Sequence, residues 1–163
     1  MYSTYPAKFV LDSNGTYFVS FPDVPEAKTF VDDKSTANPI AAEALATALS
    51  FYVEAHKPLP IPSLPKRGQT LIYLPAATVA KLSLYQAMRD QAITQSELAK
   101  RLGCHRQQAA RIVDPAHNTK YEVLEAALTA VGKRASLSIQ DAALFPTSTP
   151  TPKSKTPTHP PNS

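Results

Sequence analysis

Four polar side chains near the middle of the chain have the types and spacing needed to hydrogen-bond the edges of DNA bases. In the run Cys104-His-Arg-Gln-Gln-Ala-Ala-Arg-Ile-Val113 they are His105, Arg106, Gln107 and Arg111. At helical spacing all four point away from the apolar side of this segment, which carries Ala109 and Ile112. Arginine and glutamine make paired hydrogen bonds to guanine and adenine in the major groove. We therefore expect base contacts from Arg106 and Gln107, and a base or phosphate contact from Arg111.

A helix-turn-helix needs a second helix just before this one, and the preceding residues predict it. The run is Thr94-Gln-Ser-Glu-Leu-Ala-Lys-Arg-Leu-Gly103. Ala99 is small where two helices cross, and Gly103 permits the positive φ of a sharp turn. Gln95 and the helix N-terminus beside it suit a phosphate group. Two amphipathic helices joined by a glycine also occur in ordinary helical bundles, so that alternative stays open.

The charge distribution supports nucleic-acid binding by the same part of the chain. The net charge is +4, but residues 1–75 carry six basic and seven acidic side chains, whereas residues 76–140 carry nine and five. The positive excess therefore coincides with the helix-turn-helix, as neutralisation of phosphates requires. Thr119 and Lys120, at the start of a further predicted helix, are weaker phosphate candidates, and Gln108 faces either DNA or the neighbouring helix.

Composition limits the class of protein. A chain of 163 residues with 43% hydrophobic residues is long enough for one ordinary domain or two small ones. Its apolar runs are shorter than the roughly 18 residues of a membrane span, and no signal peptide opens it. We expect a soluble, cytoplasmic protein. The single cysteine, Cys104, allows no internal disulfide and no zinc site built from thiolates, and we expect it to be a small buried residue.

The first 75 residues predict a small sheet packed on one helix. Alternating apolar residues, the turn Ser13-Asn14-Gly15 and β-branched and aromatic runs predict strands over 5–11, 16–21, 28–31 and 70–74. Asn38 and Pro39 suit the cap and first position of a helix over 40–55. A proline-rich connector over 58–65 cannot continue that helix.

The remaining residues predict helices, one last strand and a tail. Helices are expected over 76–91 and 120–131 beside the two motif helices, and Ala135, Leu137 and Ile139 alternate with serines as in a strand. Beyond residue 140 the chain is rich in proline, threonine and serine, and we expect it to be disordered. The predicted fold class is thus α+β: residues 1–75 form an antiparallel sheet on one helix. Residues 76–140 form an all-α helix-turn-helix domain with a terminal strand, and residues 141–163 form the tail.

These segments, taken in order, resemble the HicB antitoxin family. The resemblance is carried by Tyr5-Pro-Ala-Lys-Phe-Val10, Tyr17-Phe-Val-Ser-Phe-Pro-Asp-Val-Pro-Glu-Ala27, Lys57-Pro-Leu-Pro-Ile-Pro-Ser63 and Leu71-Ile-Tyr-Leu-Pro75. It implies a truncated RNase H-like domain that binds and blocks a HicA-like toxin, a small mRNA-cleaving ribonuclease. It also implies a C-terminal domain similar to the Xre repressors, which binds the double-stranded promoter DNA of its own operon in the bacterial cytoplasm.

Partner contacts and oligomeric state follow less directly from the residues. Aromatic side chains of the second strand are candidates for contacting the toxin, although core packing is their commoner role; they are Tyr17, Phe18 and Phe21. A helix-turn-helix that binds a palindromic site needs two copies about one DNA turn apart, so we expect a homodimer or higher oligomer. Strand 135–139 either pairs between subunits or returns onto its own domain.

Catalysis is the less favoured interpretation. A nuclease of the RNase H type needs several converging carboxylates to hold divalent ions, whereas Asp12, Asp23 and Asp32-Asp33 have the sequence contexts of turns and caps. We therefore expect no enzyme activity, no cofactor and no metal site. The main alternative is a stand-alone helix-turn-helix regulator whose N-terminal domain senses a small molecule.

Overall fold

The computed structural model describes residues 2–139 and contains a sheet, a long helix and four further helices. In chain order the elements are β1 Thr4–Leu11, β2 Tyr17–Phe21, β3 Val24–Val31, a 3₁₀ turn Lys34–Thr36, α1 Ala37–Glu54, β4 Gln69–Tyr73, α2 Ala76–Asp90, α3 Gln95–Leu102, α4 Arg106–Val113 and α5 Tyr121–Ala130. The predicted α+β class, with a sheet packed on one helix and followed by helices, is confirmed.

The four strands form one antiparallel sheet in the order β3-β2-β1-β4. Gly15, at φ +84°, makes the turn between β1 and β2, as the sequence predicts. Strand β4 pairs with β1 after the proline-rich connector. One face of the sheet packs against α1, and alternate residues of the strands are therefore buried. Large side chains buried between the sheet and α1 are Tyr5, Val19, Phe21 and Ile72 from the strands and Leu45 and Leu49 from the helix.

Strand β3 begins four residues earlier than the prediction of 28–31. It starts at Val24 and includes Pro25, although proline disfavours the interior of a sheet. Proline is tolerated here because β3 lies at the edge of the sheet, where a missing N–H costs no ladder hydrogen bond. The register shifts at Ser20/Phe21, next to the tight connection between β2 and β3.

Asn38 does not cap α1, contrary to the prediction. The helix begins at Ala37 with Thr36 as its N-cap residue, and the Asn38 side chain instead bonds the backbone of β4. Its Nδ2 donates to the carbonyl oxygen of Tyr73 (3.0 Å), and its Oδ1 accepts from the Tyr73 N–H (2.8 Å). The amide group therefore extends the edge of the sheet as a neighbouring strand would.

We predict that Asn38→Ala lowers the free energy of unfolding by about 2 kcal/mol, because two hydrogen bonds of about 1 kcal/mol each are lost. Urea unfolding followed by circular dichroism measures the change. The exposed loop residue Asn118 provides the matched control Asn118→Ala, for which we expect a change below about 0.5 kcal/mol. Equal stability of the two variants would contradict this role for Asn38.

Helix α2 contacts both the segment that follows α1 and the C-terminal helices. Its Tyr85 hydroxyl donates to the carbonyl oxygen of Lys57 (2.8 Å), and Arg89 Nη1 donates to that of His56 (2.5 Å). On the other side it packs against α4 and α5, so the buried apolar residues form one continuous cluster. The domain boundary at residue 75 stays a prediction. Among residues 2–139, no helix has both the length and the apolar character of a membrane span.

The strand predicted over 135–139 is wrong for the single chain. Residues 133–139 follow α5 without regular structure, and Leu137 and Ile139 are 65% and 84% exposed. A strand needs a partner backbone for its hydrogen bonds, and no strand of the described chain pairs with this segment. The predicted tail, residues 141–163, lies outside the described residues.

Candidate nucleic-acid interface and partner surface

Helices α3 and α4 form the predicted helix-turn-helix, and the signals in the sequence mark its ends. The Thr94 hydroxyl accepts a hydrogen bond from the Glu97 N–H (3.1 Å) and so caps α3. Gly103 ends the helix in the left-handed region at φ +64°, where a side chain would be strained. The Cys104 N–H then bonds the carbonyl oxygen of Ala99 (3.0 Å) and fixes the turn.

The helix-turn-helix has a buried apolar side and an exposed polar side, as the sequence predicts. Leu98, Ala99, Ala109 and Ile112 are buried, each at most 5% exposed. Cys104, which the sequence predicts to be buried, is only half-buried beside this core, because it lies in the turn between the two helices. Away from this core the polar side chains are all exposed, and they are His105 at the N-cap and Arg106, Gln107, Gln108 and Arg111 of α4. No other segment of the described chain covers them, so this side of the helix is free to enter a groove.

Gln95 and Arg106 line the same cleft, of about 500 Å³, between the first turns of α3 and α4. Arg89 of α2 and His56, just after α1, line it as well. His105 is the N-cap residue of α4, but its side chain makes no capping hydrogen bond, so the imidazole remains available to a phosphate. The cleft thus brings two predicted candidates, Gln95 and Arg106, close to the N-termini of α3 and α4, which attract anions.

The remaining phosphate candidates lie at the start of α5 and in the last turn of α4. Lys120 is the exposed N-cap residue of α5, and Thr119 before it is half-buried. Arg111 is exposed in the last turn of α4. These three side chains are solvent-accessible to different degrees, with Thr119 the least suited to a direct contact.

Sequence reasoning missed Lys81, which lies in α2 and is only 1% exposed. Its ammonium group donates to backbone carbonyls at the end of α4 and in the turn that follows. The sequence offers one signal for it, a lysine within the apolar stripe of a predicted helix. That signal is weak because lysine stems commonly reach from such positions to solvent.

The predicted partner residues of β2 have different environments. Phe21 is 1% exposed and packs in the core, so it offers no surface to a partner. Tyr17 is the first residue of β2 and lies on the face of the sheet that packs against α1, where it is half-buried. The ammonium group of Lys34 lies 4.7 Å from its ring centroid. Phe18 points to the opposite face of the sheet, away from α1.

That opposite face carries an apolar row that was not predicted from the sequence. Directly paired residues share a face of the sheet, and Val10 pairs with Phe18, which pairs with Phe30. Val10 and Phe30 are each 58% exposed, and the rings of Phe18 and Phe30 lie 5.2 Å apart. The paired row two residues away consists of Lys8, Ser20 and Lys28. We call these six residues the open sheet face.

The carboxylates considered for catalysis act in local structure instead. Asp12 accepts from the Ser13 N–H in the first turn, and Asp23 accepts from the N–H and hydroxyl of Ser63. Asp33 caps the 3₁₀ turn, and hydrogen bonds from the Ser35 hydroxyl and N–H lower the pKa of its carboxyl. Within residues 2–139, no three acidic, histidine or cysteine side chains are grouped as a metal site would require.

Comparison with known proteins agrees with this architecture. Residues 4–83 match the family model described as HicB-like antitoxin of bacterial toxin-antitoxin system. Antitoxin HicB 1 and Antitoxin HicB 2 of Photorhabdus laumondii are 38% and 39% identical over 83% and 82% of this chain, which correspond to 86% and 94% of their own lengths. Antitoxin HicB of Escherichia coli K12 is 36% identical over 82% of this chain and 96% of its own length. The chain therefore belongs to the HicB family of antitoxins, which are not enzymes.

Proposed function

We propose that this chain neutralises a HicA-like, mRNA-cleaving toxin through its N-terminal α+β part and represses its own operon by binding promoter DNA through α3 and α4. The observation that carries the proposal is the coexistence of two unoccupied surfaces in a chain of this family. One is the exposed polar side of α4, and the other is the open sheet face. Both activities belong in the bacterial cytoplasm, where the mRNA and the promoter are found.

The proposed DNA contact uses the side of α4 that carries Arg106 and Gln107. Both residues lie in the first turn of the helix, and the N-terminal residues of a recognition helix are the ones that contact base edges. Phosphate contacts from the starts of α3, α4 and α5 and from the last turn of α4 would fix the register without specifying sequence. We assign those contacts to Gln95, His105, Arg111, Thr119 and Lys120.

The proposed toxin contact uses the open sheet face of a truncated RNase H-like domain. An exposed row of Val10, Phe18 and Phe30 presents contiguous apolar surface, which marks interaction sites in soluble proteins. The lysines beside it provide the polar rim that surrounds such contacts, and lysine also discourages unwanted pairing between sheets. This surface differs from the aromatic set of the sequence analysis in that Val10 and Phe30 replace Tyr17 and Phe21.

We further propose a homodimer in which residues 135–139 pair between subunits. The alternation of Ala135, Leu137 and Ile139 with serines favours a strand, and the exposure of the two larger side chains leaves them available to a second copy. Pairing with a second chain would supply the partner backbone that the single chain lacks.

Truncation tests the dimer. We expect a chain cut after Gly132 to be monomeric in size-exclusion chromatography with light scattering, because the pairing segment is gone. A chain cut after Gln140 is the matched control, since it lacks the tail but keeps the segment, and we expect it to remain a dimer. A dimer that persists without residues 133–163 would reject the role of this segment.

Co-expression with the neighbouring reading frame tests the proposed function as a whole. We expect that frame to encode a small basic protein that arrests growth alone, co-purifies with this chain and is harmless when the two are produced together. If the neighbouring product neither arrests growth nor co-purifies, the antitoxin proposal fails, and a stand-alone regulator that senses a small molecule becomes the better account.

A further inference from the structure

Lys81 is a charged side chain buried at the back of the recognition helix. Its Nζ donates to the carbonyl oxygens of Asp114 (2.8 Å) and Arg111 (3.3 Å), and also to that of His117. Three acceptors match the three N–H donors of an ammonium group. A side chain of α2 thus holds both the end of α4 and the turn that follows it.

Two of the three acceptors, the carbonyls of Arg111 and Asp114, lie at the C-terminal end of α4, where a helix leaves backbone groups unsatisfied. The last carbonyls of an α-helix have no partner within the helix, and a cation near a helix C-terminus is stabilised by the aligned peptide dipoles. Because α4 has only eight residues, its orientation depends on what holds its ends. Its N-cap residue makes no side-chain hydrogen bond, so the C-terminal bonds from Lys81 are the polar anchor.

Burying this charge is costly, which argues against Lys81 as a mere space filler. Taking an ammonium group out of water is unfavourable unless hydrogen bonds and charges compensate it. Desolvation lowers the pKa of Lys81 to about 8, against the opposing effect of the nearby Asp114 carboxylate. An apolar side chain of similar length would fill the same space without this cost, but it would remove the ammonium donor from all three carbonyls, of which that of Asp114 keeps the His117 N–H (3.1 Å).

We propose that Lys81 is a positioning residue for DNA recognition, which fixes the orientation of α4 without touching DNA itself. The inference rests on the proposed function of α4 as the recognition helix. It adds a determinant of operator affinity that lies on another helix and faces away from the DNA surface.

Three variants distinguish the positioning of α4 by Lys81 from an effect of its charge and from an effect of its packing. Lys81→Met keeps the length and apolar stem but removes every donor, Lys81→Arg keeps a cation with N–H donors, and Lys66→Met removes one exposed positive charge from the connector. The readouts are amide hydrogen exchange of residues 106–113 without DNA, and fluorescence anisotropy with the chain's own promoter fragment. We expect Lys81→Met to lose protection in α4 and about tenfold in affinity, as the loss of hydrogen bonds to a charged donor implies.

We expect Lys81→Arg and Lys66→Met to stay within about threefold of wild-type affinity. Unchanged α4 protection and unchanged affinity in Lys81→Met would overturn the proposal. If the wild type itself does not bind its promoter, the proposed function fails, and the exchange data alone then decide whether Lys81 orients α4.

The pH dependence gives a second test, which is needed if Lys81→Met does not fold. Between pH 7 and pH 9 the ammonium group of Lys81 becomes an amine with two N–H donors, so we expect wild-type affinity to fall by about threefold. Lys81→Arg stays charged over this range. It also retains the neighbouring Asp114, His117 and Arg111, so the two proteins differ only at position 81. An equal pH profile for wild type and Lys81→Arg would overturn the proposal.

Discussion

Replacing both Arg106 and Gln107 with alanine is expected to abolish specific operator binding while leaving toxin binding intact. Each side chain is exposed in the first turn of α4, and loss of one paired contact with a base costs about 1–3 kcal/mol. Neither residue contributes to the core, so the fold should be unaffected. Anisotropy titrations with the promoter fragment and with an unrelated duplex measure the loss of specificity.

A charge-matched control makes this result interpretable. Arg67 is exposed in the connector before β4, so Arg67→Ala removes the same charge as Arg106→Ala far from the recognition helix. We expect its operator affinity to remain within about threefold of wild type, since one distant charge contributes little at physiological salt. Operator affinity that is equal in the double variant and in Arg67→Ala would show that α4 does not make the base contacts.

The second large effect is a loss of affinity for the toxin, which we expect when the open sheet face is changed. Val10→Ser together with Phe30→Ser should weaken binding of the toxin by about 30-fold or more, because buried aromatic anchors contribute 2 kcal/mol or more to interfaces. The cost in stability should be only about 1 kcal/mol, mostly from the lost ring contact with Phe18. Calorimetric titration with the purified product of the neighbouring reading frame measures the affinity.

An exposed apolar residue elsewhere controls for general loss of hydrophobicity. Leu64 in the connector is 87% exposed, and Leu64→Ser should leave toxin affinity unchanged. Operator binding by the open-face variant should also match the wild type, since α4 lies outside the substituted surface. Wild-type affinity of Val10→Ser with Phe30→Ser for the toxin would place the toxin contact on another surface.

Local sequence signals predict the helix-turn-helix well. The small Ala99 at the crossing and Gly103 in the left-handed region each satisfy a requirement of a few neighbouring residues. The same holds for the hairpin at Gly15. Such features depend on backbone conformation and on helical or strand periodicity, which a sequence shows directly.

Features that depend on distant partners are not predictable in this way. Asn38 resembles a helix cap by itself, and only the position of β4 reveals that its amide bonds Tyr73. The row of Val10, Phe18 and Phe30 exists because three strands pair in one register. Lys81 resembles a surface lysine until the end of α4 is placed beside it. In each case the missing information is the packing of one element against another.

Methylation interference on the promoter tests the central claim most directly. If the Arg106 guanidinium bonds guanine in the major groove, methylation of guanine N7 at one position in each half-site should block binding of the wild-type chain. The two positions should lie about one DNA turn apart, and Arg106→Ala should lose sensitivity at that guanine alone. Binding that is insensitive to N7 methylation, or is blocked only by methylation in the minor groove, would contradict recognition by α4.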